Sequence, residues 1–349
     1  MARYRYLVSD VWGNVREEIP FADVSYTPQL NAAGSFQGSL PVEHAKATRA
    51  ALEPMASAVW VERDRSLVWG GVVAGVAAEA TVTVTAAGFW TYFTARHVRH
   101  RKEYVDTDQL QIVADLVSYA QTQPDGSIGL QVSMPGEGSG VLRTRIYESW
   151  ERKSIAEAVE ELAAMEDGFD FSIEPLYGSD GRPNKVLLLS YPRRGQRREI
   201  ALDLAKNLVG LPRWSIDGAR LSNLVDATGL GDAETMLIAT AEASDRGAYP
   251  RLESVVSYRD EGEFSNLLAR ADADLARTRV PVEHLACDVR PDADIKPGAF
   301  TLGDTLWCRA RRGFVQVDGE YRVTSFTVDV DDEHNEKLSI NLQSEASVA

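Results

Sequence analysis

The chain has 349 residues, enough for two or three domains, and its 44 % hydrophobic and 26 % charged residues exclude a wholly disordered or fibrous polypeptide. A formal charge of −15 argues against a broad basic face that wraps nucleic acid, though not against a local basic patch. Two cysteines, Cys287 and Cys308, exclude a disulfide-rich scaffold and a four-cysteine zinc site while leaving room for one cystine.

The N-terminus runs directly into a strand pattern and has no apolar core of a signal peptide. The most apolar stretch, Leu67 to Ala78, is too short and too rich in glycine and alanine for a bilayer-spanning helix, so no stable membrane insertion is expected. From Tyr4 to Phe93 short strands alternate with turns at Trp12-Gly13-Asn14 and Asp64-Arg65. Val82 and Val84 alternate with threonines, as in a strand with one buried face. A brief helix is predicted over Val42 to Leu52, between Pro41 and Pro54. So many short strands in this length predict a small barrel or sandwich.

From His97 the period changes. Leu110, Val113, Leu116, Val117 and Ala120 fall on one helical face, with Asp106 or Thr107 as the cap and Pro124-Asp125-Gly126 as the stop. In a second helix Ser154 and Glu157 make a capping box, Ile155, Ala158, Val159, Leu162 and Ala163 form the stripe, and Gly168 is placed to end it. FDFSIEP and KVLLLSYP then read as a hairpin turning through Gly178 to Gly181. The last third is again mostly strands: ARLSNLVDATG and TMLIATAEA as partners, RLESVVSYR, then one helix with Leu268, Ala271, Leu275 and Thr278 inward and Ser265 as its cap. Further strands follow Pro281. Thr324, Phe326, Val328 and Val330 share one face, as do Leu338, Ile340 and Leu342, and the tail SEASVA is expected to fray. Pro-Val-Glu-His occurs at Pro41 to His44 and at Pro281 to His284, too short a match to establish duplication.

No constellation carries catalysis. His44, His97, His100, His284 and His334 form no metal-ligand motif. Arg96, Arg99, Arg101 and Lys102 around His97 and His100 read as a solvated or interface-facing basic cluster, and Arg193, Arg194, Arg197 and Arg198 read the same way; neither has the interleaved aromatics of a base-stacking platform. The cysteines lie in apolar strands and read as inert thiols, and a Cys287–His284 pair lacks an oriented base and an oxyanion hole. The acidic groups Glu166 to Asp170 and Asp329 to Glu333 read as a helix end and a hairpin turn. Gly70, Gly71 and Gly75 match neither phosphate-binding fingerprint and read as a strand passing close to neighbouring backbone; Pro135 to Gly140 reads as a mobile surface loop. Core packing is the leading reading for Trp60, Trp69, Trp90, Trp12 and Trp214 alike, with Trp12 in a turn and Trp214 after Pro212 standing where an aromatic is often exposed enough to anchor a partner. No catalytic, cofactor-binding or metal-binding residue is assigned.

The segments YRYLVSD, REEIPFADVSYTPQLNAAGSFQGSLPV and AVWVERDRSLVWGGVVAGV, with the later ARLSNLVDATG, SNLLARADADLARTR, LGDTLWCRARRG and GEYRVTSFTVDVDDEHNEKLSINL, resemble minor tail or baseplate hub proteins of siphophages infecting actinobacteria, related to the T4-type baseplate hub fold. The likeness covers nearly the whole chain and contains no catalytic signature. It implies a mainly β fold with an α+β centre: an N-terminal β-barrel hub domain over 1–95, a central α+β domain over 96–204, and a C-terminal β-barrel hub domain with one helix over 205–349. It also implies a non-enzymatic homotrimeric ring without cofactors at the distal end of a long non-contractile tail. Expected partners are the distal tail or tail tube protein, the tape measure protein, and central fibre and receptor-binding proteins, with DNA present only in transit through the channel. The second barrel is expected to close near Gln343 without a fused lysozyme, peptidase or carbohydrate-binding module. A receptor- or carbohydrate-binding tail-tip protein, stacking sugars on Trp12 and Trp214, is the alternative.

Overall fold

A computed structural model of the chain describes residues 2–134, 136, 138–165, 167–258, 261–290 and 295–344. Two compact units share the chain: one comprises Met1–Ile200, Asp288–Asp304 and Val323–Ile340, the other Ala201–Cys287, Thr305–Arg322 and Asn341–Ala349.

The first unit opens with strands β1 (Tyr4–Asp10), β2 (Val15–Glu18), β3 (Ala22–Thr27), β4 (Ser35–Pro41), β5 (Ser57–Arg63), β6 (Ser66–Ala78) and β7 (Thr81–Gly88), followed by the single helical turn α1 (Thr91–Thr94). Next come β8 (Lys102–Asp108), α2 (Gln109–Thr122), β9 (Gln131–Ser133), β10 (Leu142–Tyr147), α3 (Ile155–Ala163), β11 (Asp170–Tyr177), β12 (Pro183–Ser190) and β13 (Arg197–Asp203). The second unit adds β14 (Arg213–Asp217), β15 (Leu224–Thr228), a 3₁₀ turn (Ala233–Thr235), β16 (Ile238–Glu242), β17 (Glu253–Ser257), α4 (Phe264–Thr278), β18 (Val282–Val289) and β19 (Thr305–Arg312). The long strand β20 (Val315–Val330) and β21 (Glu336–Ser344) contribute residues to both units.

In the first unit the main sheet runs β21–β20–β3–β4–β7–β6–β5–β1–β2. β2 pairs only with β1, and the path never returns to its start, so the sheet is open. In the second unit β14 pairs β18, β19 pairs β20, and β16–β15–β17 forms a separate open sheet beneath α4. The expectation of two closed barrels is therefore corrected: among the described residues the chain is mainly β with an α+β region, and no sheet closes. Local patterning specifies strands and turns, whereas closure requires the first and last strands to pair.

Side-chain period explains most of the elements. On β7, Val82, Val84 and Ala86 are buried while the intervening threonines face outward. Gly71 on β6 is required by a close approach, because a Cβ there would lie 2.3 Å from the Ala87 carbonyl oxygen. The five predicted inward residues of α2 are all buried, but the cap is Asp108, whose carboxylate accepts from Leu110 N at 2.8 Å, rather than Asp106 or Thr107. Ser154 caps α3 as expected, accepting from Glu157 N at 3.1 Å. These helices pack with β11 and β12 around Phe93, Leu116, Val159, Phe171 and Leu187. The hairpin β11–β12 forms in the expected place, Asp170 opposite Ser190.

Two local expectations fail. Residues 42–52 form turns, because only Ala51 and Leu52 are buried and a short helix without a buried stripe lacks the packing that stabilises it. The last helix begins at Phe264 after Glu263, so Ser265 lies inside it, and its buried line runs through Leu267, Ala271 and Leu275, with Leu268 half-buried. The two Pro-Val-Glu-His tetrads fold differently, one leaving β4 into turns and the other entering β18. Glu166, Pro135, Glu137 and all but the first residue of SEASVA lie outside the described residues.

Candidate functional site

The residues weighed for chemistry serve the fold. His284 and Cys287 project to opposite faces of β18, exposed and buried respectively, and Cys287 and Cys308 are buried thiols not joined to each other. Asp170 accepts from Asn31 Nδ2 at 3.0 Å and Arg194 N at 2.8 Å, which ties β11 to neighbouring loops. Asp331 accepts from the backbone amides of Glu333 and Asn335, as expected of a hairpin turn between β20 and β21. Those bonds, led by the Asn335 amide side chain, hold its carboxyl below the ordinary range. Among the described residues no three His, Cys, Asp or Glu side chains are grouped as a metal site. No helix among them is long and apolar enough to cross a membrane.

The basic runs are largely committed internally. Lys102 pairs with Asp115 at 2.7 Å, Arg101 reaches Glu148 at 3.1 Å, and Arg96 donates to the Ala120 carbonyl at 2.9 Å. Arg194 pairs with Glu174 and donates to Ser172, and Arg198 meets the buried Asp304 at 2.7 Å. A recess of about 210 Å³ in the first unit has Trp69, Phe89, Trp90, Phe300 and Phe326 in its wall, and its guanidinium, Arg194, is the one already engaged with Glu174. The Pro135–Gly140 loop is anchored where it is described: Ser139 N and Gly140 N both donate to Asp108 Oδ2 at 2.7 Å.

What remains outward-facing includes several large apolar side chains. Trp60, Trp69 and Trp90 are buried as expected. Trp12 is 59 % exposed with its indole N–H donating to the Ser127 carbonyl at 2.8 Å; Trp214 is half-buried, donating to Glu283 at 3.3 Å and packed edge-to-face on Phe314 at 5.6 Å. Among the described residues the most exposed large apolar side chains are Phe314 at 85 % and Trp150 at 75 %, and neither was singled out by sequence. Phe314 sits after Gly313, whose φ is +58°, in the two-residue turn between β19 and β20. The available signal was a large aromatic following glycine in a hairpin turn, a place where small and polar residues dominate. Along β19, Trp307, Arg309 and Arg311 alternate with the buried Leu306, Cys308 and Ala310, so the RARRG segment is a third basic run that charge counting alone passed over.

The whole chain has close fold relatives among solved structures. A 43 kDa tail protein of prophage MuSo2 from Shewanella oneidensis superposes with a TM-score of 0.65 at 13 % identity, covering 99 % of each chain. A tail protein from Neisseria meningitidis gives 0.63 at 13 % identity over 98 % of this chain and 97 % of that one. The prophage tail protein gp18 from Listeria monocytogenes gives 0.63 at 13 % identity over 97 % and 94 %. No family model matches the sequence, and no curated protein matches it. The chain therefore has the fold of phage tail proteins.

Proposed function

We propose that this chain is a noncatalytic structural hub of a phage tail. The observation that carries the reading is the match of fold to the MuSo2 tail protein along 99 % of both chains, so that neither is left with a sizeable unmatched domain. Engagement of the candidate acids and basic side chains in turns and ion pairs supports a mechanical role. In its fuller form the hub is a homotrimeric ring at the distal end of the long non-contractile tail of an actinobacterial siphophage. It joins the tail tube or distal tail protein and the tape measure to the central fibre and receptor-binding proteins, and leaves a channel for the genome. Segments 1–95, 96–204 and 205–349 are its proposed functional divisions. A net charge of −15 agrees in sign with a bore that does not adhere to DNA.

Two measurements test this. Antibody or gold label against the chain should mark the distal tip of intact tails in electron micrographs; label along the tube, or absence from particles, overturns the reading. The purified chain should sediment at three times its own mass under assembly conditions, and a monomer at every concentration removes the ring.

A further inference from the structure

We infer that His334 is a pH-sensitive latch that fastens the N-terminal end of β1 to the turn between β20 and β21. β2 pairs with β1 from Leu7 to Ser9, and Ile19 N donates to the Tyr6 carbonyl at 2.9 Å, so pairing along that edge stops short of Tyr4. The buried Tyr4 finds its acceptor 330 positions away instead: its amide donates to His334 Nδ1 at 3.3 Å, and the two rings lie 6.1 Å apart. The turn is built to present that nitrogen. Asp331 accepts from the amides of Glu333 and Asn335, His334 N donates to the Asp331 carbonyl at 2.9 Å, and His334 takes a φ of +63°. Beside it, Glu336 Oε1 accepts from Tyr4 Oη and from Arg63 Nε, each at 2.5 Å.

Chemistry singles out the imidazole among these groups. The Tyr4 amide can bond only to a lone pair on Nδ1, and protonation there replaces the acceptor with a second N–H. Imidazoles ordinarily take up that proton at about pH 6.5. The other two donors keep their protons throughout: burial above all pushes the Tyr4 phenol well above its usual range, and the bond to Glu336 does the same for the Arg63 guanidinium. A released imidazolium also has a destination. A recess of about 580 Å³ is lined by Tyr4 and His334 together with the carboxylates of Glu18, Asp331 and Asp332 and the cations of Arg5 and Lys46. Arg5 is committed to Glu18 at 2.8 Å and Lys46 to Glu17 at 3.4 Å. The hydrogen bonds of the turn hold the Asp331 carboxyl below its ordinary range, so it stays ionised while the imidazole charges, and Asp332 and Glu333 are exposed on the same turn. Neutral His334 therefore holds Tyr4, and charged His334 swings toward these carboxylates.

Amide hydrogen exchange on the full chain tests the latch, with protection at Tyr4 corrected for the intrinsic rate at pH 7.5 and pH 5.0. Wild type should lose roughly fivefold or more of that protection on acidification, the worth of one hydrogen bond, while amides in the middle of β1 keep theirs. In His334→Asn the side-chain oxygen accepts without titrating, and asparagine tolerates a positive φ, so protection at Tyr4 should be flat with pH. In His334→Ala it should be low at both values. A fall in the Asn variant as large as in wild type, a wild type indifferent to pH, or an Ala variant protected like wild type at pH 7.5 each overturns the latch. Equal loss along the whole of β1 overturns it too, because the strand then opens as a unit.

Discussion

Lys185 shows how one side chain can set a pH dependence. It is 1 % exposed on β12, its Nζ donates to the Val11 carbonyl at 2.7 Å, and it lies 4.6 Å from the Phe89 ring centroid. Burial pushes its pKa down to about 8 from 10.5, against the opposing pull of Asp10. Between those values the unfolded chain holds the proton more tightly than the folded one, so this group makes stability rise with pH, by about 3 kcal/mol across the window. Lys185→Met should abolish that increment: urea melts at pH 7.5 and 10.5 should show wild type gaining relative to the variant by about that amount. An equal pH response in both proteins would contradict the assignment. Gly71 makes the steric counterpart. Gly71→Ala forces a methyl against the Ala87 carbonyl and the Trp69 ring and should cost about 3 kcal/mol by denaturant unfolding. Neither effect was written in the sequence beyond a lysine among apolar residues and a glycine-rich strand, because both depend on which distant chain segment comes near.

Helices were the most legible elements because their signals are local. Ser154 as N-cap and the stripe through Leu162 marked α3, although only the Ser154 half of the expected capping box forms, and Ser154→Ala should cost about 1 kcal/mol. Asp108 was missed as a cap since three neighbouring residues could each begin α2, and only the return of Ser139 and Gly140 onto its second oxygen distinguishes it. Asp108→Ala should therefore cost about 2 kcal/mol, more than the Ser154 change, and should raise amide hydrogen exchange at both Leu110 and Gly140. Exchange restricted to the helix start would show that the loop does not depend on the carboxylate. The strands of the hairpin β11–β12 were equally readable from alternation and turn chemistry. The exposed basic runs were readable as charge but not as pairs: Lys102 and Asp115 belong to different elements, and nothing in their spacing announces the bond.

At the scale of the molecule the mixed composition, β-rich at both ends with helices between, was visible in sequence, and the tail-protein likeness agreed with the fold matches. That the sheets stay open was not visible, since closure or its absence turns on pairing between strands hundreds of positions apart. That same remoteness makes a prediction about truncation. A chain ending at residue 204 lacks the strand that covers β3 and the Glu336 carboxylate that accepts from Tyr4 and Arg63. Such a fragment should aggregate or bind hydrophobic dye where the full chain does not, and a soluble, cooperatively melting fragment would show that the late strand is dispensable.

The pairing of Val328 with Tyr26 has a temporal meaning as well. At roughly 5–20 residues per second, a ribosome exposes β3 some tens of seconds before its neighbour exists. During that interval the growing polypeptide carries an uncovered β-edge, the kind of template that recruits wrong partners. Synthesis order thus delays completion of the first unit until its late strands emerge, and ties the yield of correctly shaped subunits to whatever shields that edge meanwhile.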